Sequence, residues 1–149
     1  MANENLQLGY TILCDDVRLE MGNKLSLMGI FQNIMVERVP VTLIKFAVVQ
    51  HWTGAGNYMA EVRILSPDKM NVVVSSQPTQ IALQEGGFAD NVSFFVNPSF
   101  PEVGTYTVQT LVNSNLFNEF PLVVMQMQQE QNNIADGDDG DDEYPEIVN

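Results

Sequence analysis

The stretch FVNPSFPEVGTYTVQTLVNSNLFNEFPLVVMQM, residues 95–127, constrains the fold of this chain more than any other. It reads as the end of one strand, a Pro/Gly corner, then two alternating strands joined by a short polar turn. Tyr106, Val108, Thr110 and Val112 fall on one face, and Thr105, Thr107, Gln109 and Asn113 on the other. Successive side chains of a strand point to opposite faces, so a period of two is the pattern of a half-buried antiparallel strand. Pro101-Glu102-Val103-Gly104 supplies the corner just before Tyr106.

The same grammar extends upstream. Residues 6–14 form a first strand, and the polar segment DDVRLEMGNK, residues 15–24, connects it through a Gly22-Asn23 turn to a second strand at residues 25–31. In residues 43–52 Ile44, Phe46, Val48 and Trp52 face one way, with Lys45, Ala47 and His51 opposite. Thr53-Gly54-Ala55-Gly56-Asn57 reads as a tight connection to residues 58–65, where Tyr58, Ala60, Val62 and Ile64 point in. Ser66-Pro67-Asp68-Lys69 is a turn, because Pro pre-sets φ and Asp bonds the backbone that follows. Short strands follow at residues 71–76, 80–85 and 91–97, divided by Pro78 and by Gly86-Gly87.

About nine strands at this spacing predict an all-β fold, an antiparallel β-sandwich, and no segment shows helical periodicity. The Pro-x-x-Gly-Thr-Tyr corner favours an immunoglobulin-like layout, in which a Tyr near the start of the penultimate strand bonds back to the corner backbone. Tyr106 occupies that place. The domain is expected over residues 1–127, with a Gln/Asn linker and acidic tail over 128–149.

A chain of 149 residues buries about 70% of its unfolded surface and needs no disulfide or metal to hold it. Cys14, the single cysteine, sits in an apolar run and reads as a small buried hydrophobe in a reducing compartment. MANENLQLGY lacks the features of a signal peptide, so a cytoplasmic, soluble protein is expected. The net charge of −13 argues against nucleic-acid phosphates or an anionic membrane as a direct partner. Residues 1–135 carry −6 and the last fourteen residues −7, so the anomaly is the tail.

Catalytic apparatus is sparse. Nucleophilic catalysis needs a Ser, Cys or Thr with a base and an orienting acid. The only histidine, His51, reads as a solvated residue on the outward face of its strand, and Asp15-Asp16 beside Cys14 disfavour a thiolate. Gly54-Ala-Gly56 and Gly86-Gly87 lie between strands and read as hairpin turns, not phosphate cradles. No enzyme and no cofactor are expected. Phe94, Phe95, Trp52 and Tyr58 read as core residues, without exposed aromatics beside a basic groove.

Two other chemistries have candidate residues. Asp15, Asp16 and Glu20 form a loop cluster that could hold Ca²⁺, although calcium takes about 6–8 oxygens and this loop offers few. The tail acids fail as an EF-hand, since the sixth position from Asp136 is Asp141 and the twelfth is Ile147. The tail itself reads either as a solubilising run of like charge or as a docking peptide. In the second reading Asp141, Asp142 and Glu143 steer towards a basic partner while Tyr144, Ile147 and Val148 anchor in an apolar pocket. An acidic decoy of nucleic acid and an enzyme with an unfamiliar site are the remaining alternatives.

The segment Cys14-Asp15-Asp16-Val17-Arg18-Leu19-Glu20-Met21-Gly22-Asn23-Lys24-Leu25-Ser26-Leu27-Met28-Gly29-Ile30-Phe31 resembles a family of unknown function, DUF6941. The likeness continues through Trp52-x-Gly54, Ser66-Pro67-Asp68 and Gly104-x-Tyr106, over roughly residues 8–127. It implies a bacterial or phage-associated β-sandwich and brings no assigned activity. The expectation is therefore a non-enzymatic binding or assembly module, with a protein partner or self-association and no nucleic acid or membrane.

Overall fold

A computed structural model describes residues 5–128. These residues are all-β, with no helix among them. Ten strands follow in chain order: β1 (Leu6–Glu20), β2 (Lys24–Phe31), β3 (Asn33–Val36), β4 (Val41–Thr42), β5 (Lys45–Leu65), β6 (Val72–Ser75), β7 (Thr79–Val96), β8 (Ser99–Phe100), β9 (Gly104–Val112) and β10 (Asn115–Gln126). Eight of them form one sheet in the order β2-β1-β5-β9-β10-β3, with β6 and β7 also paired to β5, while β4 and β8 pair with each other.

The long strand β5 organises the sheet. Its first half, residues 45–54, lies between β1 and the second half of β7. Its second half exchanges β1 for β9, pairing with β9 from Ala60 to Leu65, and stays with β7, whose first half it pairs from Gly56 to Ala60. The crease falls at Gly54-Ala55-Gly56, opposite Gly86-Gly87, where the β5–β7 register shifts. The glycines expected to close hairpins instead bend two continuous strands. The reason is local: Gly54, Gly56 and Gly86 all have positive φ, which glycine adopts without a Cβ penalty, and pairing resumes on the far side.

The crease lets both halves of β5 share one core. Leu13, Phe46, Val48 and Phe95 from one half meet Val62, Ile64, Tyr106, Val108, Leu122 and Val124 from the other. A second cluster at the crease gathers Leu6, Trp52, Ala60, Ile81, Leu83 and Val112, with Phe117 edge-on to Trp52 at 5.5 Å. Tyr106 is fully buried and its hydroxyl donates to the Glu102 carbonyl at 2.7 Å, as the corner predicts.

Four further sequence expectations need correction. Every ladder is antiparallel except β3 with β10, which is parallel, so the sheet is mixed. Alternation reports which face a side chain takes and is silent on the direction of the neighbour. The polar segment after Cys14 is no loop, because β1 continues to Glu20 and pairs with β2 through Val17↔Leu27, Leu19↔Leu25 and Glu20↔Lys24. Strand β9 is buried on both faces rather than half-buried, since Arg63 Nε donates to Gln109 Oε1 and Gln109 Nε2 to Glu119 Oε1, each at 2.8 Å, closing the outer face with a polar ladder. Three short strands, β3, β4 and β8, add to those expected, because elements of two to four residues carry too little alternation to register in sequence.

The tight turns follow their residue types. The β9–β10 hairpin closes on Asn113-Ser114, with φ of 51° and 68°, the two positive angles of a type I′ turn. At Ser66-Pro67-Asp68-Lys69 the Asp68 carboxylate accepts from the Met70 amide at 2.9 Å and the Ser66 hydroxyl at 2.6 Å.

Candidate interaction surface

The side chains of β5 that point into the core leave the opposite face of its first half to a different set of neighbours. Across that face the register aligns Tyr10, His51 and Asp90 in one row, and Cys14, Ala47 and Phe94 in another. Between them Cys14, Ala47 and Val49 are fully buried, with Val17, Leu25 and Leu27 of the β1–β2 hairpin and Val92 packed against them. Burial, with Asp15 alongside, pushes the Cys14 thiol up from its ordinary value, which leaves it a core hydrophobe as the sequence implied.

At one end of this face three rings stand side by side. Tyr10 stacks on His51 at 5.2 Å between ring centres, and His51 on Phe88 at 5.4 Å. His51 Nδ1 lies 2.7 Å from Asp90 Oδ1; an ionised carboxylate only accepts, so Nδ1 carries the hydrogen. Burial and then the Asp90 charge push the Tyr10 hydroxyl up from its ordinary value. His51 lies on the outward face expected from its parity, but its neighbours on β1 and β7 half-bury it, and cross-strand neighbours are what a single strand cannot display.

At the other end Lys45 Nζ lies 5.5 Å from the centre of the Phe94 ring and 3.2 Å from Asp16 Oδ1. Phe88 is 67% exposed, Phe94 47% and Val96 69%. These are the exposed aromatics and aliphatics that a reading of Phe94 as core missed. A signal was present: Phe88, Val92, Phe94 and Val96 alternate with Ala89, Asn91, Ser93 and Phe95, so both faces of one strand carry apolar residues.

The strand that carries them is also an edge. Among the described residues, β7 pairs only with β5, so residues 87–96 leave one row of backbone N–H and C=O groups without a strand partner. Natural edges are blunted by Lys, Pro, bulges or shortness. This ten-residue segment, GFADNVSFFV, has no Lys or Pro, and Asp90 is its single charge.

The sequence candidates fall elsewhere. Asp15 and Asp16 are consecutive in β1 and so point to opposite faces; Asp15 abuts Gly29, while Asp16 holds Lys45 and the Val17 amide. Glu20 accepts from Ser26 Oγ at 2.7 Å. The structure does not bring the three together, and among the described residues no three His, Cys, Asp or Glu gather where a metal could sit. Asp141, Asp142, Glu143, Tyr144, Ile147 and Val148 lie outside the described residues. No described helix is long and apolar enough to cross a membrane. A cleft of about 590 Å³ runs between β2, β3 and the start of β5, with Ile30, Met35 and Ile44 exposed along it.

A model of a family of unknown function, DUF6941, matches residues 9–125. No curated protein matches the chain in sequence. Among solved structures, the chain is similar to the Pseudomonas fluorescens alkylpurine DNA glycosylase AlkC bound to DNA containing an abasic site analog, with a TM-score of 0.49, 6% identity, and coverage of 81% of this chain and 30% of that one. It is also similar to a beta-glucosidase from Listeria innocua in complex with isofagomine, with a TM-score of 0.49, 12% identity, and coverage of 80% of this chain and 16% of that one. The chain therefore spans less than a third of the solved chains it matches.

Proposed function

The chain belongs to DUF6941, a family of unknown function, and from that premise we propose that it is a non-enzymatic interaction module that docks proteins on the free edge of β7. The observation that carries the reading is the ten-residue unshielded edge flanked by exposed Phe88, Phe94 and Val96. An added strand gains main-chain hydrogen bonds along such an edge, and alternate side chains supply selectivity. Aromatic residues are enriched at protein interfaces, which suits Tyr10, Phe88 and Phe94 to this use. The buried thiol of Cys14 and the involvement of His51 in stacking and in Asp90 support a structural role for both.

The bent sheet with a shared core supports an immunoglobulin-like sandwich layout, and the Tyr106–Glu102 bond is the feature most in keeping with it. A cytoplasmic setting accords with the single unpaired thiol. A second reading places the tail tip, Tyr144, Ile147 and Val148, in the cleft lined by Ile30, Met35 and Ile44. It is favoured by the parallel β10–β3 pair, which delivers residue 127 beside Val36, the residue that follows Met35 of that cleft in β3.

The test is a photo-crosslinking amino acid in place of Phe88 in the full-length chain, expressed in its native cells, with the same group in place of Met70 as a control. Covalent adducts from position 88 and not from position 70 are expected. Equal labelling from both positions, or none from position 88, removes the edge as the working surface.

A further inference from the structure

We infer that the occupant of the β7 edge is a second copy of this chain, joined antiparallel across a two-fold axis at Val92. The inference deepens the proposed function and rests on its reading of the edge as the docking surface.

The register follows from parity and charge. Residues directly opposite in an antiparallel pair share a face, so the outward set Phe88, Asp90, Val92, Phe94 and Val96 must meet its own copy. Pairing Asp90 with Asp90 of the other copy sets like charges opposite each other, which is destabilising. A two-fold at Val92 avoids this, and among the registers of the right parity it is the one that sets Asp90 opposite Phe94, the ring that Lys45 lies over. Phe88 then faces Val96 of the second copy at both ends, and Asp90 faces Phe94.

The last pair is completed by a side chain from the neighbouring strand. Lys45 Nζ already lies 5.5 Å from the centre of the Phe94 ring, so the Asp90 carboxylate of one copy arrives where the other copy holds a cation. Lys45 is partly exposed and otherwise engaged only with Asp16 on the surface. Asp90 keeps its contact to His51 Nδ1 at 2.7 Å within its own copy and gains the second copy's Lys45 as a further, cationic neighbour. The closed two-fold contact is isologous, so it ends at a dimer and does not propagate. Both copies contribute β2-β1-β5-β7 to one continuous sheet, and the row of unpaired backbone groups disappears.

Sedimentation equilibrium of the full-length protein over a concentration series tests this, with Asp90→Lys, Lys45→Glu and the double variant alongside, and thermal melts confirming that each is folded. The expected result is a wild-type dimer, weakened about tenfold or more by either single change and restored by the double change. Phe88→Lys, at an exposed position, should give a monomer whatever the fate of the charge variants. A monomeric wild type, a dimer indifferent to Phe88→Lys, or a double variant no tighter than the singles overturns the proposal. A monomeric wild type whose position-88 crosslinker captures a different protein overturns the self-pairing alone and leaves the edge as a docking surface.

Discussion

Tyr106 ties the Pro/Gly corner to the core through a single oxygen, which donates to the Glu102 carbonyl and accepts from the Glu102 amide at 3.3 Å. Burial pushes its hydroxyl up from the ordinary value, so it stays protonated and can donate. Tyr106→Phe keeps the ring and strands two backbone groups, and urea unfolding should show a loss of about 1–3 kcal/mol. Asp68 gives the complementary prediction in pH. Its hydrogen bonds from Ser66 and then Met70 hold the carboxyl below the ordinary carboxylate value. The unfolded chain takes up that proton first, so the contribution is full above the unfolded value and is lost as pH falls through the folded one. Asp68→Asn should therefore flatten the acid limb of a stability-against-pH curve while leaving its alkaline limb unchanged. At this scale the sequence was legible: Tyr106, Cys14 and the Asp68 turn are all placed by local chemistry. His51 was not, because its environment comes from Tyr10 and Phe88 on other strands.

Among elements, the crease in β5 and β7 decides where everything else lies. Gly54 has φ of 130° and a Cβ there would collide with the Asn5 carbonyl oxygen, whereas Gly86, with φ of 77°, has open space around it. Gly86→Ala should cost about 1–2 kcal/mol, the ordinary price of a left-handed residue. Gly54→Ala should cost clearly more, since the first residues of β1 must move to make room. Denaturant titration of the two variants separates these effects, and equal losses would mean that the crease does not depend on the close approach of Asn5. A glycine pair between two alternating runs is read equally well as a hairpin or as a bend. The choice is made by pairing partners: Gly54 sits opposite Gly87, and the same two strands remain neighbours on both sides of the crease.

For the whole molecule the charge opposes association. The chain carries −13, of which the last fourteen residues hold −7, so two copies repel. A version ending at residue 135 retains −6 and should form the β7-paired dimer more tightly than the full chain, with the difference fading as salt screens both. Light scattering at low and high salt measures this directly. A fall to monomer on truncation would instead move the interface to Tyr144, Ile147 and Val148.

What the sequence determined by itself is the class of the chain and the sidedness of its strands. Alternation at 46–52, 58–64 and 104–112 is a property of each strand alone, and turn residues such as Asn113-Ser114 and Ser66-Pro67-Asp68-Lys69 act within a few bonds of themselves. What only the tertiary structure decided is which strands became neighbours. The parallel β3–β10 pair, the burial of both faces of β9 and the free edge of β7 all arise from contacts between residues far apart in the chain. A periodic pattern specifies a face to bury, and it is the fold that assigns what covers that face and which edge is left without a partner.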